Sequence, residues 1–223
     1  MPRVVHVIGN GDSASFYNEA PRKGLKLTCN LPPFEVPDAY ASIIVDFKMM
    51  RAIHRNEIDV PGQWVLGMRP KIYMEKNTQF HMQRSHQIRQ FYTAMPKYCP
   101  TYTDFSCGHM AVYYAAKNLK AEVIHMYGFD VIFDWNLRSS SDFFMQSDRG
   151  NMNNNRLQNN WRPVWEKIFA DFKDIKFKLH HMHDNIKIKV GNNVETVKYG
   201  KRGEITPPPN WDTSKKPLED DRR

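Results

Sequence analysis

A short apolar run near the amino end leads directly into a glycine turn. Residues 4–8 are Val-Val-His-Val-Ile, a composition typical of a buried parallel strand. Residues 9–13 are Gly-Asn-Gly-Asp-Ser, so the strand meets two glycines and then the helix N-cap candidates Asp12 and Ser13. Glycine lets the backbone approach a ligand, and a helix N-terminus offers free N–H groups and the positive end of its dipole. The pattern favours a nucleotide-phosphate site, but it also fits a tight turn without a ligand, because the third glycine of the dinucleotide motif is missing.

Composition and charge limit the class of protein. The chain has 223 residues, 41% of them hydrophobic, which suits one folded α/β domain. It holds no apolar run of about 18 residues and no signal-peptide pattern, so no membrane span is expected. Three cysteines without a C-x-x-C pair predict reduced thiols and a cytoplasmic location, the host cytoplasm if the protein is viral. The formal net charge of +8 favours an anionic partner, such as nucleic acid, a nucleotide donor or an acidic surface.

Short apolar runs and helical periodicities divide the chain into elements. Strands are predicted at residues 4–8, 24–30, 40–47, 64–67, 71–74, 121–127 and 175–179. Helices are predicted at residues 14–20, 48–55, 109–119 and 162–173. Their alternation predicts an α/β fold with a parallel sheet and flanking helices.

The remaining segments differ in composition from this alternating part. Residues 77–102, rich in basic and aromatic side chains, and the polar residues 138–160 are expected to be lid or acceptor segments of a domain spanning 1–180. For residues 77–102, an ordinary solvated surface is an equal alternative. Residues 181–200 are predicted to form a β-hairpin, with strands at 186–190 and 194–199, and the Pro-rich residues 201–223 a flexible tail.

Three short motifs occur in order along residues 4–180. They are Gly9-Asn10-Gly11-x-Ser13 after a strand, Cys29-Asn30 closing a second strand, and Ser106-Cys107-Gly108 opening a helix whose following strand ends in Gly128-Phe129-Asp130. This order resembles the bacterial lipooligosaccharide sialyltransferases and the related motility-associated glycosyltransferases. The resemblance implies a Rossmann-like α/β domain with a small lid, and a nucleotide-sugar donor held by the motifs.

The donor-site residues that the resemblance implies lie at the carboxyl ends of strands or the amino ends of helices, where doubly wound sheets bind ligands. They are Gly9, Asn10, Gly11, Ser13, Asn30, Asp46, Ser106, Gly108, Gly128 and Asp130. The first four would line the donor phosphate and ribose, and Asn30 would contact the nucleotide or the sugar. Ser106 and Gly108 would meet the phosphate, while Gly128 and Asp130 would hold the ribose or the base.

The chain departs from that family at the catalytic centre. The family's catalytic His falls near residues 153–156, where this chain has none, so a donor other than CMP-sialic acid stays open. Glycosyl transfer needs a base for the acceptor hydroxyl and positive charge for the leaving phosphate. The candidate bases are Asp142, Asp148 and His109, with Asp130 as an alternative. The candidate cations for the leaving group are Arg149, Arg156 and Arg162.

No essential metal or cofactor is expected. His180-His181-x-His183-Asp184 matches no zinc spacing, because neighbouring residues of a strand point to opposite faces. Asp130-x-x-x-Asp134 is wider than the Asp-x-Asp that holds a metal-bound sugar nucleotide in many glycosyltransferases.

These observations predict a glycosyltransferase that uses a CMP-, UDP- or GDP-linked sugar. A hydroxylated base in DNA, as in viral DNA modification, is the expected acceptor, because the net charge is positive. A carbohydrate acceptor is one alternative, and a non-catalytic nucleotide- or nucleic-acid-binding module is the other.

Overall fold

One parallel sheet organises the structure. The computed structural model describes residues 3–19, 23–134, 139–143 and 157–215. In these segments eight strands form a sheet of order β5-β4-β3-β2-β1-β6-β7-β8, and every neighbouring pair is parallel. The strands are β1 (Val4–Ile8), β2 (Leu25–Cys29), β3 (Ala41–Ile44), β4 (Trp64–Leu66), β5 (Ile88–Phe91), β6 (Val123–Tyr127), β7 (Lys176–His181) and β8 (Val194–Lys198). The predicted Rossmann-like α/β class is therefore confirmed.

Helices cover both faces of the sheet. The α-helices of the described segments are α1 (Phe47–His54), α2 (Met68–Lys76), α3 (Thr78–Arg84), α4 (Cys107–Lys117) and α5 (Arg162–Asp171). Helix α4 packs on β1, β2, β3 and β6 and against α5, so these two helices cover one face. Helices α1 to α3 cover the other face around Trp64 and Leu66 of β4. A short 3₁₀ helix, Asp12–Asn18, lies on that second face beside β6 and β7.

Side-chain alternation assigns each strand residue to one of these layers. In β1, Val5 and Val7 join the core under α4 and α5, whereas Ile8 packs with the 3₁₀ helix on the opposite face. Both faces of β1 are buried, which explains why four of its five residues are apolar.

Two elements between β4 and α4 differ from the prediction. Residues 71–74, predicted as a strand, lie in α2, where Pro70 and Met74 are buried one helical turn apart. Residues 77–102, predicted as a lid or acceptor segment without a strand, hold α3 and the edge strand β5. The sequence of β5, Ile-Arg-Gln-Phe, has little strand signal, because its backbone pairs on one side only.

The predicted C-terminal hairpin is wrong in its first strand. Strand β8 is present, but it pairs in parallel with β7, in the register Phe177↔Val194. Residues 186–190 form no strand and instead cross the face that α5 covers. There Ile188 is buried, and the amide of Lys187 donates to the carbonyl of Ile132. Apolar and charged residues thus alternate in this segment because one side of the extended chain is buried and the other is exposed.

Residues 201–215, predicted as part of a flexible tail, lie against the body of the domain. The guanidinium of Arg202 sits 4.8 Å from the ring centroid of Phe16, and the amide of Ile205 donates to a carboxylate oxygen of Asp12 at 3.0 Å. Further along, Trp211 is buried and forms an antiparallel bridge with Ile58. Burial of this indole anchors the segment across the face that holds α1. Residues 216–223 lie outside the described residues.

A row of histidines crosses the second face of the sheet on β1, β6 and β7. The rings of His6 and His125 stack at 4.8 Å, and His125 Nδ1 shares a hydrogen bond with His180 Nε2 at 2.9 Å. His180 Nδ1 lies 2.9 Å from the hydroxyl of Tyr199. Burial lowers the pKa of His125 to about 4 and that of His180 to about 3. These rings are therefore neutral in the folded protein at neutral pH.

The histidine row predicts a loss of stability in mild acid. Unfolded histidines take up protons below about pH 6.5, whereas His125 and His180 in the folded state do so only near pH 4 and 3. These two histidines should therefore lower the free energy of unfolding as the pH drops below 6.5, and together contribute a slope that approaches about 2.7 kcal/mol per pH unit for two protons. Urea unfolding between pH 7 and pH 5 measures this slope. The His180→Gln variant should show a slope smaller by about one proton; an unchanged slope would contradict the assignment.

Candidate functional site

The sheet has its topological switch point between β1 and β6. From β1 the chain runs to β2 on one side, and later strands continue from β6 on the other side. The loops that follow β1 and β6 therefore diverge at the carboxyl edge, where open α/β sheets bind ligands. The glycine motif at residues 9–13 and the motif at 128–130 lie at this point.

Glycines allow the two loops to touch. The amide of Gly9 donates to the carbonyl of Tyr127 at 2.7 Å, and the amide of Gly11 donates to the carbonyl of Gly128 at 3.1 Å. A Cβ atom on Gly9 would lie 2.7 Å from the carbonyl oxygen of Gly128, and one on Gly11 would overlap the carboxylate of Asp130. The glycines are thus required by the contact between the loops, before any ligand is considered.

Asp130 joins the same two loops through its side chain. The amide and the hydroxyl of Ser13 donate to its two carboxylate oxygens at 3.1 Å and 2.5 Å. Both residues are buried. The carboxylate therefore occupies the amino end of the short helix after β1, the place where the sequence predicted a donor phosphate. In this arrangement Ser13 and Asp130 bind each other, and neither presents a free polar group to a ligand.

His183 is the residue of this site that the sequence analysis missed. Its Nε2 donates to Asp130 at 2.5 Å, and this hydrogen bond raises the pKa of the imidazole above its usual value. Its Nδ1 lies 3.8 Å from a carboxylate oxygen of Asp134, beyond hydrogen-bond distance. The side chain keeps 17% of its surface exposed. The site thus holds a histidine oriented by a carboxylate through one nitrogen, with the other nitrogen available.

The histidine motif that contains His183 is divided between the two sides of β7, and His181 stays in contact with His183, whose amide donates to Nδ1 of His181 at 3.2 Å. His180 stacks on Tyr127, whereas His181 stacks on Phe133 on the other side of β7. Only the loop after β7 returns His183 to the switch point. In the described segments, no group of three or more His, Cys, Asp or Glu side chains is arranged to hold a metal ion.

Two buried amide oxygens lack hydrogen-bond partners at the carboxyl edge. The Nδ2 of Asn10 donates to the carbonyl of Leu31 at 3.1 Å, which leaves its Oδ1 buried and unpaired. Asn30 closes β2 in a left-handed conformation, with φ of 52°, and its Oδ1 is also buried and unpaired, with 7% of the residue exposed. Leaving a buried acceptor unpaired costs about 1–3 kcal/mol. These atoms therefore mark a place where a ligand with hydrogen-bond donors would be stabilised.

The amino end of α4 faces the ends of β2 and β3. Ser106 caps the helix by accepting the amide of His109, and its own amide donates to Nδ1 of that histidine. The thiol of Cys107 donates to the carbonyl of Ile43 at 2.8 Å. The first-turn amides of Cys107 and Gly108 have no acceptor within the helix, as at any helix start.

His109 does not fit the predicted role of catalytic base. Its Nδ1 accepts the Ser106 amide, and its Nε2 donates to the carbonyl of Trp161 at 3.1 Å. Full burial lowers the pKa of His109 to about 3. Because both ring nitrogens are engaged and the ring is enclosed, His109 is a helix-capping residue. Packing also explains the glycine at position 108, because a Cβ there would lie 2.8 Å from the ring of Phe129.

Two charged residues predicted for the site have structural partners. Asp46 precedes α1 and accepts a hydrogen bond from Arg69 at 2.7 Å, so a cation stands beside the end of β3. Arg162 is buried and donates to the carbonyls of Val131 and Asp134, which ties α5 to the loop after β6.

The described part of the predicted lid lies on the loops that follow β1 and β2. The amide of Ser140 donates to the carbonyl of Asn10 at 2.9 Å, and its hydroxyl donates to the carbonyl of Leu31 at 2.5 Å. In the same turn, Asp142 accepts the amide of Ser139. Asp142 thus lies close to the candidate site. The other predicted catalytic and phosphate residues of this segment, Asp148, Arg149 and Arg156, lie outside the described residues.

Comparison with protein-family models, curated proteins and solved structures finds no significant match for this chain. The described segments contain no helix that is both long enough and apolar enough to cross a membrane.

Substitution of Gly11 tests the contact between the loops. A Cβ at this position would overlap the carboxylate of Asp130, so Gly11→Ala should lower the free energy of unfolding by about 1–3 kcal/mol. Gly203→Ala is the matched control, because a Cβ there would meet nothing within 4 Å. Urea unfolding of both variants measures the difference; equal stabilities would mean that the loops separate freely.

Proposed function

We propose that this protein is a glycosyltransferase that binds a nucleotide-sugar donor at the carboxyl edge of its sheet, beside the β1–β6 switch point. The observation that carries the proposal is the pair of buried, unpaired amide oxygens of Asn10 and Asn30. An amide oxygen needs a donor, and the hydroxyls and amino groups of a nucleotide sugar supply several. The order of the sequence motifs, which resembles that of nucleotide-sugar glycosyltransferases, supports the same donor.

The phosphates of the donor have a place at the amino end of α4. The carboxylate of Asp130 fills the shorter helix end after β1, which leaves the first-turn amides of Cys107 and Gly108 facing the edge. A helix amino end stabilises anions through its free amides and its dipole. Arg69 pairs with Asp46 at the end of β3, so the charges of these two side chains offset each other near this helix end.

His183 supplies the acid–base chemistry in this proposal. The acceptor hydroxyl oxygen attacks the anomeric carbon and transfers its proton to Nδ1 of His183. The bond between the anomeric carbon and the phosphate oxygen breaks, and the nucleotide leaves with the electron pair. Asp130 orients the imidazole and stabilises the imidazolium that forms, as a carboxylate does in an acid–histidine pair. Asp142 and Asp148 remain sequence-based candidates for the same step.

A nucleotide-binding protein without transfer activity is the second candidate function. The observation that favours it is the absence of a histidine from residues 153–156, where the glycosyltransferases that the motifs resemble carry their catalytic histidine. The two functions differ in turnover. Only the transferase releases free nucleotide from a nucleotide-sugar donor when an acceptor is present. The acceptor is a carbohydrate hydroxyl or a hydroxylated base in DNA.

Asn30→Ala should weaken donor binding. Removing a hydrogen bond of this kind costs about 1–3 kcal/mol, which corresponds to a roughly 5- to 150-fold increase in Kd. The donor is first found by thermal shift against CMP-, UDP- and GDP-linked sugars, and its Kd is then measured by calorimetry. The control is Asn118→Ala, an exposed asparagine at the opposite end of α4. If Asn30→Ala and the control bind the donor like the wild type, the proposed pocket is wrong.

His183→Gln should reduce turnover with little effect on donor affinity. Loss of a positioned acid–base group lowers kcat by about 10²- to 10⁴-fold. In the wild-type protein, kcat/KM should rise with pH through the raised pKa of His183, because the base acts in its neutral form. Release of free nucleotide measures both effects, and His86→Gln, at an exposed position, is the control. Wild-type turnover in His183→Gln would remove this residue from the mechanism.

A further inference from the structure

Positive charge is concentrated in one stretch of the chain. Residues 47–98 contain nine Lys and Arg against three Asp and Glu, a surplus of six within a net charge of +8. This stretch is less than a quarter of the sequence. It runs from α1 to just beyond β5, so it builds the helical layer and the sheet edge on one side of the molecule.

Helices α1 to α3 form one continuous layer. His54 of α1 lies 2.9 Å from the hydroxyl of Tyr73 on α2, and its ring stacks at 4.3 Å on Phe80 of α3. Tyr73 and Phe80 meet edge to face at 6.1 Å. These three side chains hold α1, α2 and α3 together. The outer surfaces of the three helices therefore form a single surface, which we call the basic layer.

The basic layer exposes lysine and arginine side chains, the residue types that contact phosphates in nucleic acids. Arg55 and Lys71 expose 56% and 40% of their side chains, and Lys76 is also exposed. Their partners, Glu57 and Glu75, form ion pairs of a kind that contributes little and can exchange for phosphate.

Helix α3 adds groups that can contact base edges. It exposes Thr78, Gln79, Met82 and Gln83, with the two glutamines one helical turn apart. Glutamine pairs with the edge of adenine, threonine donates or accepts, and an apolar group packs on the methyl of thymine. An α-helix fits the major groove of B-form DNA, whereas the corresponding groove of A-form RNA is too narrow.

An anionic membrane fits the basic layer less well. A helix that lies on a membrane needs a continuous apolar face. In the described segments, only two exposed large apolar side chains belong to the basic layer, Phe47 and Met82, and they lie on different helices.

We propose that the basic layer is a docking surface for double-stranded DNA, with α3 facing the major groove and Arg55, Lys71 and Lys76 contacting phosphates. Helices α1 and α2 begin where β3 and β4 end, so the surface borders the carboxyl edge that holds the candidate donor site. Docking itself needs no donor. That the docked DNA is the acceptor of the transfer rests on the proposed function.

Fluorescence anisotropy with a labelled 20-base-pair duplex tests the docking surface. The full chain is titrated without any nucleotide sugar at 50 to 200 mM KCl. Arg55→Ala combined with Lys76→Ala should weaken binding at 100 mM salt by about tenfold or more and lower the slope of log K against log salt by about 2. Lys173→Ala combined with Lys201→Ala changes the charge equally at exposed positions outside the basic layer and should leave Kd within about twofold.

Three results would overturn the proposal: no binding of the duplex at 50 mM KCl, equal losses in the two double variants, or tighter binding to phosphatidylserine vesicles than to DNA. Urea unfolding confirms that each variant keeps the wild-type stability. Calorimetry with the donor is run on the same preparations. Failure of DNA binding with intact donor binding rejects only the docking surface, whereas the reverse result rejects only the proposed transferase.

Discussion

The contact between β1 and β6 is the constraint on which the rest of the structure depends. The two strands pair in parallel from Val4↔Val123 to Ile8↔Tyr127, at the centre of the sheet. Beyond the last pair, the backbones of the two glycine loops bond to each other, and the carboxylate of Asp130 adds the bonds to Ser13 and His183. This contact determines which helix amino end is accessible. The carboxylate of Asp130 fills the amino end of the 3₁₀ helix after β1 and leaves the amino end of α4 unfilled. The position of the candidate site therefore depends on the contact between the loops that follow β1 and β6.

The open edge and the basic layer meet at the carboxyl ends of β3 and β4. Asp46 and Arg69 join the starts of α1 and α2 there, next to the end of β2, where Asn30 lies. A donor held near Asn10 and Asn30 and a polyanion held on α1 to α3 would approach the same edge from two sides. Ser140, in the described part of residues 138–160, hydrogen-bonds to the carbonyls of Asn10 and Leu31 and so lies against the loops that follow β1 and β2.

Local patterns in the sequence predicted the elements that carry the site, and long-range contacts explain what they missed. The strands β1, β2 and β6 and the helix α4 were predicted close to their observed bounds, because the apolar residues that indicate each element are buried in it. His183 was missed because its role depends on β7 lying beside β6, which places it on an aspartate 53 residues away. The prediction of a hairpin was wrong for the same reason. Apolar and charged residues alternate around Ile188 as in a strand, but Ile188 is buried by α5 and its neighbours, which no local pattern reveals.

The central position of β1 also affects how the chain emerges from the ribosome. Its partner β2 begins at residue 25, but β1 ends at residue 8 and β6 begins only at residue 123. At a synthesis rate of about 5–20 residues per second, one edge of β1 waits roughly 6–23 seconds for its partner. An apolar strand with an unpaired edge is a template for pairing with other chains. The nascent protein is thus most exposed to aggregation during this interval, and a chaperone that covers the first two strands would act then.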